Sequence, residues 1–316
     1  MKETYRKLCE IESSIPMFSQ AWWLDAVAGN EWSVVLEKKG DKVVGTLPFV
    51  ERKRFGFTIL AQPELTPSLG PWIRPTQKSY PKRLAFEKDV LGALVDKLPQ
   101  YDYYGQTWHS SQTNWLPLYW RGFSQSTLYT YQLRDIGDKD KIWSGLQENI
   151  RREIRKARDR FGIKVRDCNS ISEFLSINRM TFERQGRSQP YSDDIVERID
   201  SAAAARGARD CLVAVDEEGS LHAGVYIVRH NDTAYYLMGG GDPKLRKSGA
   251  TSLLLWEAIN RQPLGVQVFD FEGSMIEPIE RFFRAFGAVQ TPYFEITHVK
   301  SKLFERLKTV RLLFKP

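Results

Sequence analysis

The chain has 316 residues, a net charge of +7, 42% hydrophobic and 27% charged residues, a soluble globular make-up that excludes a disordered chain and leaves room for one large or two modest domains. No apolar run approaches the ~20 residues of a membrane span, and the opening Met1-Lys2-Glu3-Thr4-Tyr5-Arg6-Lys7 lacks the apolar core of a signal peptide, so a cytoplasmic location is expected. Three cysteines (Cys9, Cys168, Cys211) and four scattered histidines show no metal-ligand spacing, so no metal is expected, and Cys211 reads as a small buried hydrophobe.

In chain order, residues 14–27 form a helix pattern with Phe18, Trp22, Trp23, Ala26 and Val27 near one face. Residues 32–37 and 42–50 alternate as two strands around the turn Lys38-Lys39-Gly40-Asp41, and 57–60 is a further short strand. The prolines of 62–75 exclude a strand or helix interior, so this stretch is an ordered loop; its Trp72 is a candidate for covering a substrate pocket or for packing on the core beneath. A helix over 82–97 precedes strands at 102–107 and 127–133, and Trp108, Trp115 and Trp120 between them read as core more than as a stacking platform. The charged, glycine-containing residues 134–141 mark a domain boundary.

Residues 141–160 predict one helix, with Trp143, Leu146, Ile150, Ile154, Ala157 and Phe161 in a single stripe. Arg151, Arg152, Arg155 and Arg158 stand largely opposite, and residues 151–166 hold eight Lys or Arg against two acids. Guanidinium forks bind phosphate oxygens in pairs, so Arg151, Arg152 and Arg155 are candidates for an anionic partner: tRNA, a nucleotide-linked or lipid-linked acceptor, or a membrane surface. The alternative is a solvated face partly paired with Glu153 and Asp159. A strand at 162–166 and helices at 171–185 and 193–205 follow. Strand and helix signals then alternate, with strands at 211–215, 223–229 and 233–238, a helix at 252–261, a strand at 266–271, a helix at 277–285 and a strand at 293–299, which implies an α/β layer structure with a mixed sheet. Gly239-Gly240-Gly241 falls between a strand and a helix start, where backbone N–H groups can face an anion. The tail 301–314 places Leu303, Phe304, Leu307, Val310 and Phe314 on one helical face, suited to packing on the body of the protein, with a peripheral membrane contact as the alternative.

The blocks Tyr235-Tyr236-Leu237-Met238-Gly239-Gly240-Gly241, Ser252-Leu253-Leu254-Leu255-Trp256-Glu257-Ala258-Ile259, Phe269-Asp270-Phe271-Glu272-Gly273-Ser274 and Arg281-Phe282-Phe283-Arg284-Ala285-Phe286-Gly287-Ala288 stand in an order that resembles the Fem-like transferases. These are the FemABX-type peptidoglycan aminoacyltransferases and their GNAT-fold acyltransferase relatives. Ile150-Arg151-Arg152-Glu153-Ile154-Arg155-Lys156-Ala157 resembles the basic helix that opens the second domain of that group. The resemblance, over roughly residues 149–299, implies tandem GNAT-like α/β domains with mixed central sheets: a degenerate one at 1–140 and an acyltransferase domain at 141–316. It implies transfer with no metal and no covalent enzyme intermediate, from an acyl-CoA or an aminoacyl-tRNA, to a sugar-nucleotide, cell-envelope or polysaccharide precursor. Aminoacyl-tRNA users of the group often carry a coiled-coil arm; no pair of long heptad helices stands here, which tilts the expectation to acyl-CoA.

In a GNAT fold the donor is held by backbone at a splayed strand and the next helix start, which by resemblance are Met238, Gly239 and Gly240, then Ser248, Gly249 and Ala250. Arg246-Lys247-Ser248-Gly249-Ala250-Thr251 matches the coenzyme A pyrophosphate signature Arg/Gln-x-x-Gly-x-Gly/Ala except at Thr251. Acyl transfer also needs a proton acceptor, for which Asp242, Asp270 and Glu272 are candidates. Asp270 and Glu272 lie two apart on a predicted strand and so share a side, a pairing in which one carboxylate can have a raised pKa and serve as base; Asp270 tying down a neighbouring loop is the alternative. Tyr235 and Tyr236 point to opposite faces, so one of them reaches the cleft, Tyr236 as a catalytic group or Tyr235 as a substrate contact. There is no Gly-x-Ser-x-Gly, Walker A loop or Cys–His nucleophile, which disfavours hydrolase and kinase chemistry. The competing reading is a non-catalytic scaffold that holds nucleic acid or an envelope precursor through residues 151–158.

Overall fold

The computed structural model describes residues 1–184 and 186–308, so Val310 and Phe314 of the expected tail face lie outside the described residues. It divides into two compact units, one of residues 1–128 with the chain from 292 on, the other of residues 129–291.

In the first unit α1 (Lys2–Ile11) and α2 (Ala21–Ala28) pack on β1 (Trp32–Lys39), which forms the expected hairpin with β2 (Lys42–Arg54). β3 (Phe57–Ala61) and the short β4 (Trp72–Ile73) pair antiparallel with β2. After α3 (Tyr80–Asp96), β5 (Tyr103–Thr107) lies parallel to β3, and α4 (Leu116–Tyr119) packs on α3. The strand that returns from late in the chain closes this ladder antiparallel to β5, with Glu295 facing Thr107 and Val299 facing Tyr103. Period-two alternation sorts the sheet into two cores: Val34 and Leu36 sit with Tyr5, Leu24 and Trp32, while Val35 sits with Val44, Val90 and Leu94. Trp72 is 3% exposed in the first of these cores. Its indole N–H donates to Ser14 Oγ at 3.0 Å, so it packs the core and is not placed to cover a pocket.

The second unit is a mixed sheet in the order β6-β11-β10-β9-β8-β7. Its elements are β6 (Ser124–Arg134), α5 (Lys139–Gly145), α6 (Glu148–Arg155), β7 (Lys164–Asp167), α7 (Ile171–Arg184), α8 (Asp193–Ala204), β8 (Arg209–Val215), β9 (Leu221–His230), β10 (Thr233–Gly241), α9 (Ala250–Asn260), β11 (Val268–Asp270) and α10 (Glu277–Arg284). β12 (Val289–Val299) then leads to the first unit's ladder and to α11 (Lys302–Lys308). On one face Leu212, Ala214, Val225, Ile227 and Phe269 join Ile150, Ile154, Leu254 and Trp256 in a single core. On the other, Gly224 leaves room for Phe174 and Ile177 of α7.

The single helix expected over 141–160 is broken. α5 ends at Gly145, Leu146 and Gln147 are extended, α6 starts at Glu148, and the coil widens into a π-helical turn over Lys156–Arg160. Two contacts require the break. A Cβ on Gly287 would stand 2.7 Å from Gly145 O, and the Gln147 N–H donates to Ala285 O at 2.9 Å. Of the expected apolar stripe, Leu146, Ile150, Ile154 and Ala157 are buried and Trp143 is half-buried, whereas Phe161 is exposed.

Candidate active site

β10 and β11 are parallel neighbours over three pairs: Thr233–Val268, Ala234–Phe269 and Tyr235–Asp270. β11 then stops, whereas β10 runs on to Gly241 against β9. Tyr236 faces Ile227 and Met238 faces Tyr226, so Leu237 is a bulge with no residue opposite. Farther along, Asn178 Nδ2 donates to Gly239 O at 2.8 Å and the Gly241 N–H donates to Thr181 Oγ1 at 3.2 Å. α7 thus engages the end of the edge, and the stretch at the bulge faces the opening between the two strands, where an extended acyl or peptide-like chain can lie along backbone groups.

The glycine run is strand, not an anion-binding loop. Gly239, Gly240 and Gly241 pair with Val225, Gly224 and Ala223. A Cβ on Gly240 would stand 2.5 Å from Ile177 O and Asn178 Cα, and one on Gly239 would meet Tyr236 Oη. These positions are glycine because α7 and the Tyr236 phenol lie directly on the backbone. Met238, beside them, is buried.

At the β11 end, Asp270 is buried and its carboxylate accepts from Thr130 Oγ1, from Gln132 Nε2 at 2.8 Å and from the Glu272 N–H at 2.8 Å. Burial raises its pKa and those three bonds oppose the rise. Asp270 therefore does tie down the turn that follows it. The strand ends here, so Glu272 joins it through that turn and not by strand alternation: Glu272 has φ +60 and Gly273 φ +65, both left-handed. A non-glycine residue pays for that backbone. Glu272 is half-buried, yet its Oε1 is fully shielded with no hydrogen-bond partner. Burial lifts its pKa well above the usual carboxylate value and the neighbouring Asp270 adds to the rise. Tyr235 is buried and feels both carboxylates after the larger effect of desolvation, while Tyr236, on the other face, is pushed up to about 12 by burial and stands edge-on to Phe283 at 6.0 Å. The structure thus brings Asp270, Glu272 and Tyr235 together and turns Tyr236 away from them.

The expected phosphate loop stands at the start of α9. Gly249 takes φ +80 as the helix N-cap, and a Cβ there would stand 2.5 Å from Glu153 O and 3.0 Å from Glu153 Oε2. Glu153 is itself paired with Lys156. Gly249 is glycine so that α6 can pack on α9, with the Glu153 carboxylate beside it. Ser248, Gly249 and Ala250 are buried, whereas Arg246, Lys247 and Thr251 are exposed.

Beneath this turn lies a relay that motif reasoning missed. Asp216 Oδ2 stands 3.0 Å from His222 Nε2, and His222 Nδ1 stands 2.9 Å from Ser248 Oγ. An ionised Asp216 only accepts, and its pKa is lowered chiefly by His222, so Nε2 carries a proton; in the neutral imidazole Nδ1 then accepts from Ser248. Ser248 Oγ is left to accept from the Ala250 N–H at 3.3 Å. Ser248 is 2% exposed, and the relay fixes the helix start. His222→Ala should destabilise the fold by about 1–3 kcal/mol, read in urea melts, because it strands buried partners.

The arginine face is largely committed. Arg151 donates to Ser144 O at 3.1 Å and pairs with Glu148, Arg155 pairs with Glu148, and Arg158 pairs with Glu257. Arg151 thereby caps the end of α5. Arg152 is exposed.

Residues 144–283 match the Acetyltransferase (GNAT) domain family. No curated protein sequence is similar enough to count as a match. Among solved structures, FemX is similar over 97% of this chain and 98% of its own, with a TM-score of 0.70 and 12% identity. A tandem GNAT protein from the clavulanic acid biosynthesis pathway covers 95% and 94%, with a TM-score of 0.55 and 11% identity. The C-terminal domain of a putative lysylphosphatidylglycerol synthetase from Agrobacterium fabrum covers 98% and 96%, with a TM-score of 0.58 and 10% identity. Residues 144–283 thus carry a GNAT domain in the second unit, and the chain shares its fold along nearly its whole length with FemX and a tandem GNAT protein.

Proposed function

We propose that this acyltransferase moves an acyl group from a thioester to an amine on an anionic acceptor, a sugar-nucleotide, cell-envelope or polysaccharide precursor, with Glu272 as the proton acceptor. The observation that carries the reading is the Glu272 carboxylate: shielded, without a partner at Oε1, held on a strained backbone and two residues beyond the last β10–β11 pair. Strain and an orphaned buried polar atom are costs that a fold tolerates where function needs them. In this reading the donor carbonyl lies along β10 at the Leu237 bulge, where backbone N–H groups can stabilise the oxyanion. The amine nitrogen attacks that carbonyl, Glu272 takes the amine proton, and the C–S bond breaks to release the thiolate, which takes up a proton from Glu272 or water as it leaves as the thiol. Arg152, Arg246 and Lys247 are exposed cations available to phosphate groups of either substrate.

A second reading, an aminoacyl-tRNA donor, is favoured by two observations: the FemX-like fold, and the Glu153 carboxylate packed against Gly249 at the start of α9. It keeps the same chemistry with a C–O bond broken in place of C–S. Thermal-shift titration separates the two. Acetyl-CoA or a longer acyl-CoA is expected to raise the melting temperature saturably, and Thr251→Glu, at an exposed position of the helix start, should weaken that binding at least tenfold. No shift with any thioester, together with deacylation of charged tRNA, would establish the second reading in place of the first.

A further inference from the structure

Cys168 and Cys211 lie 43 positions apart and face each other across the edge of the second unit's sheet. β7 and β8 are antiparallel with Asp167 opposite Leu212, so the next residue of β7's strand line meets Cys211. The Cys168 N–H donates to Cys211 O at 2.8 Å, and the two sulfurs stand 2.7 Å apart as free thiols. Facing positions on antiparallel strands have Cα atoms roughly 4.5–5.5 Å apart, a span that a disulfide bridges. Cys211 is 2% exposed, whereas Cys168 is half-buried and open to a small oxidant.

We propose that this pair is a built-in dithiol that a hydroperoxide closes to an intramolecular disulfide. The Cys168 thiolate attacks one peroxide oxygen, becoming a sulfenic acid as the O–O bond breaks and the other oxygen leaves as water. The Cys211 sulfur then displaces the sulfenic hydroxyl, its proton leaving in a second water. The two thiols lose two electrons and one hydrogen peroxide gains them. The Cys168 thiol and burial together hold Cys211 well above the usual thiol pKa, which suits it to follow Cys168 and not to attack first. The product would fasten the lead into α7, whose Asn178 and Thr181 hold the end of β10, to β8.

The test uses the full chain treated with equimolar hydrogen peroxide, then alkylated in denaturant without reductant and mapped by mass spectrometry. Two fewer alkylated thiols, a peptide linking Cys168 to Cys211 and an unlinked Cys9 are expected; Cys9, buried enough to have a pKa of about 11, is the internal control. Cys168→Ser, at a half-buried site that tolerates the change, should leave Cys211 alkylated. The oxidised protein should melt roughly 5 °C higher and return on reduction, as a cross-link between distant residues restricts the unfolded chain. Three free thiols after treatment, sulfinic acid at Cys168, a bond to Cys9 or to a second chain, or an unchanged melt would overturn the proposal.

Discussion

Glu272→Gln is expected to slow transfer by roughly 10²–10⁴-fold while the protein melts at the same temperature or higher. The substitution keeps shape and removes only the ability to accept a proton. Two carboxylates crowd this turn, and burial is the main reason that Glu272 has a pKa well above its ordinary value. A carboxylic acid whose pKa is higher folded than unfolded adds stability at low pH and loses it as the pH rises through the folded value. Wild-type stability should therefore fall across that window above the usual carboxylate range, and the glutamine variant should be spared this part of the fall. The pH profile of kcat/KM carries the opposite sign, because a base works only when ionised. Its acidic limb should rise with an apparent pKa above the usual carboxylate range in the wild type and be absent in the variant. Full activity in a folded Glu272→Gln protein would remove Glu272 from the chemistry and leave the acyltransferase assignment standing.

Gly240→Ala is expected to cost about 3 kcal/mol or more of stability, read in urea melts, and to lower acyl transfer even at temperatures where the variant stays folded. The new Cβ would meet Ile177 O and Asn178 Cα at 2.5 Å, both of them backbone, so no side-chain rotation relieves the clash. α7 would have to lift from β10, and with it the Asn178 bond to Gly239 O and the Thr181 bond to the Gly241 N–H. A glycine present for an anion would behave differently: alanine there would spare stability and raise the donor KM. The melt alone separates the two explanations.

Much of the second unit was legible because its strands alternate and its helices carry apolar stripes, signals that local sequence contains. Residues 211–215, 223–229 and 233–238 fall inside β8, β9 and β10. The patterns at 252–261, 266–271 and 277–285 likewise coincide with α9, β11 and α10 to within a few residues. What stayed hidden depends on contacts between distant residues. The stripe from Trp143 to Phe161 says nothing of a break, because Gly287 and Ala285, more than a hundred positions on, impose it. The bulge at Leu237 is a property of two strands in register, not of either one. Asp216, His222 and Ser248 match no motif spacing and meet only because β9 passes under the start of α9. For Asp270 and Glu272 the residues were legible and the geometry was not: a left-handed glutamate, not strand period, sets them side by side.

The division of the chain also orders events during synthesis. Residues 129–291 are continuous, so the second unit can complete as soon as they have left the ribosome. The first unit cannot, although its chain emerges earlier. Its β5 needs Glu295–Val299 as a neighbour, Ile296 is fully buried in its core, and His298 stacks on Phe123 and bonds the Tyr101 hydroxyl at 2.8 Å. Until those residues arrive, β5 exposes a bare edge beside Tyr104 and Trp108, the kind of surface that captures other nascent chains. The first part translated is the last to finish folding, and a chain released just after residue 291 would display a complete second unit joined to an unfinished first one.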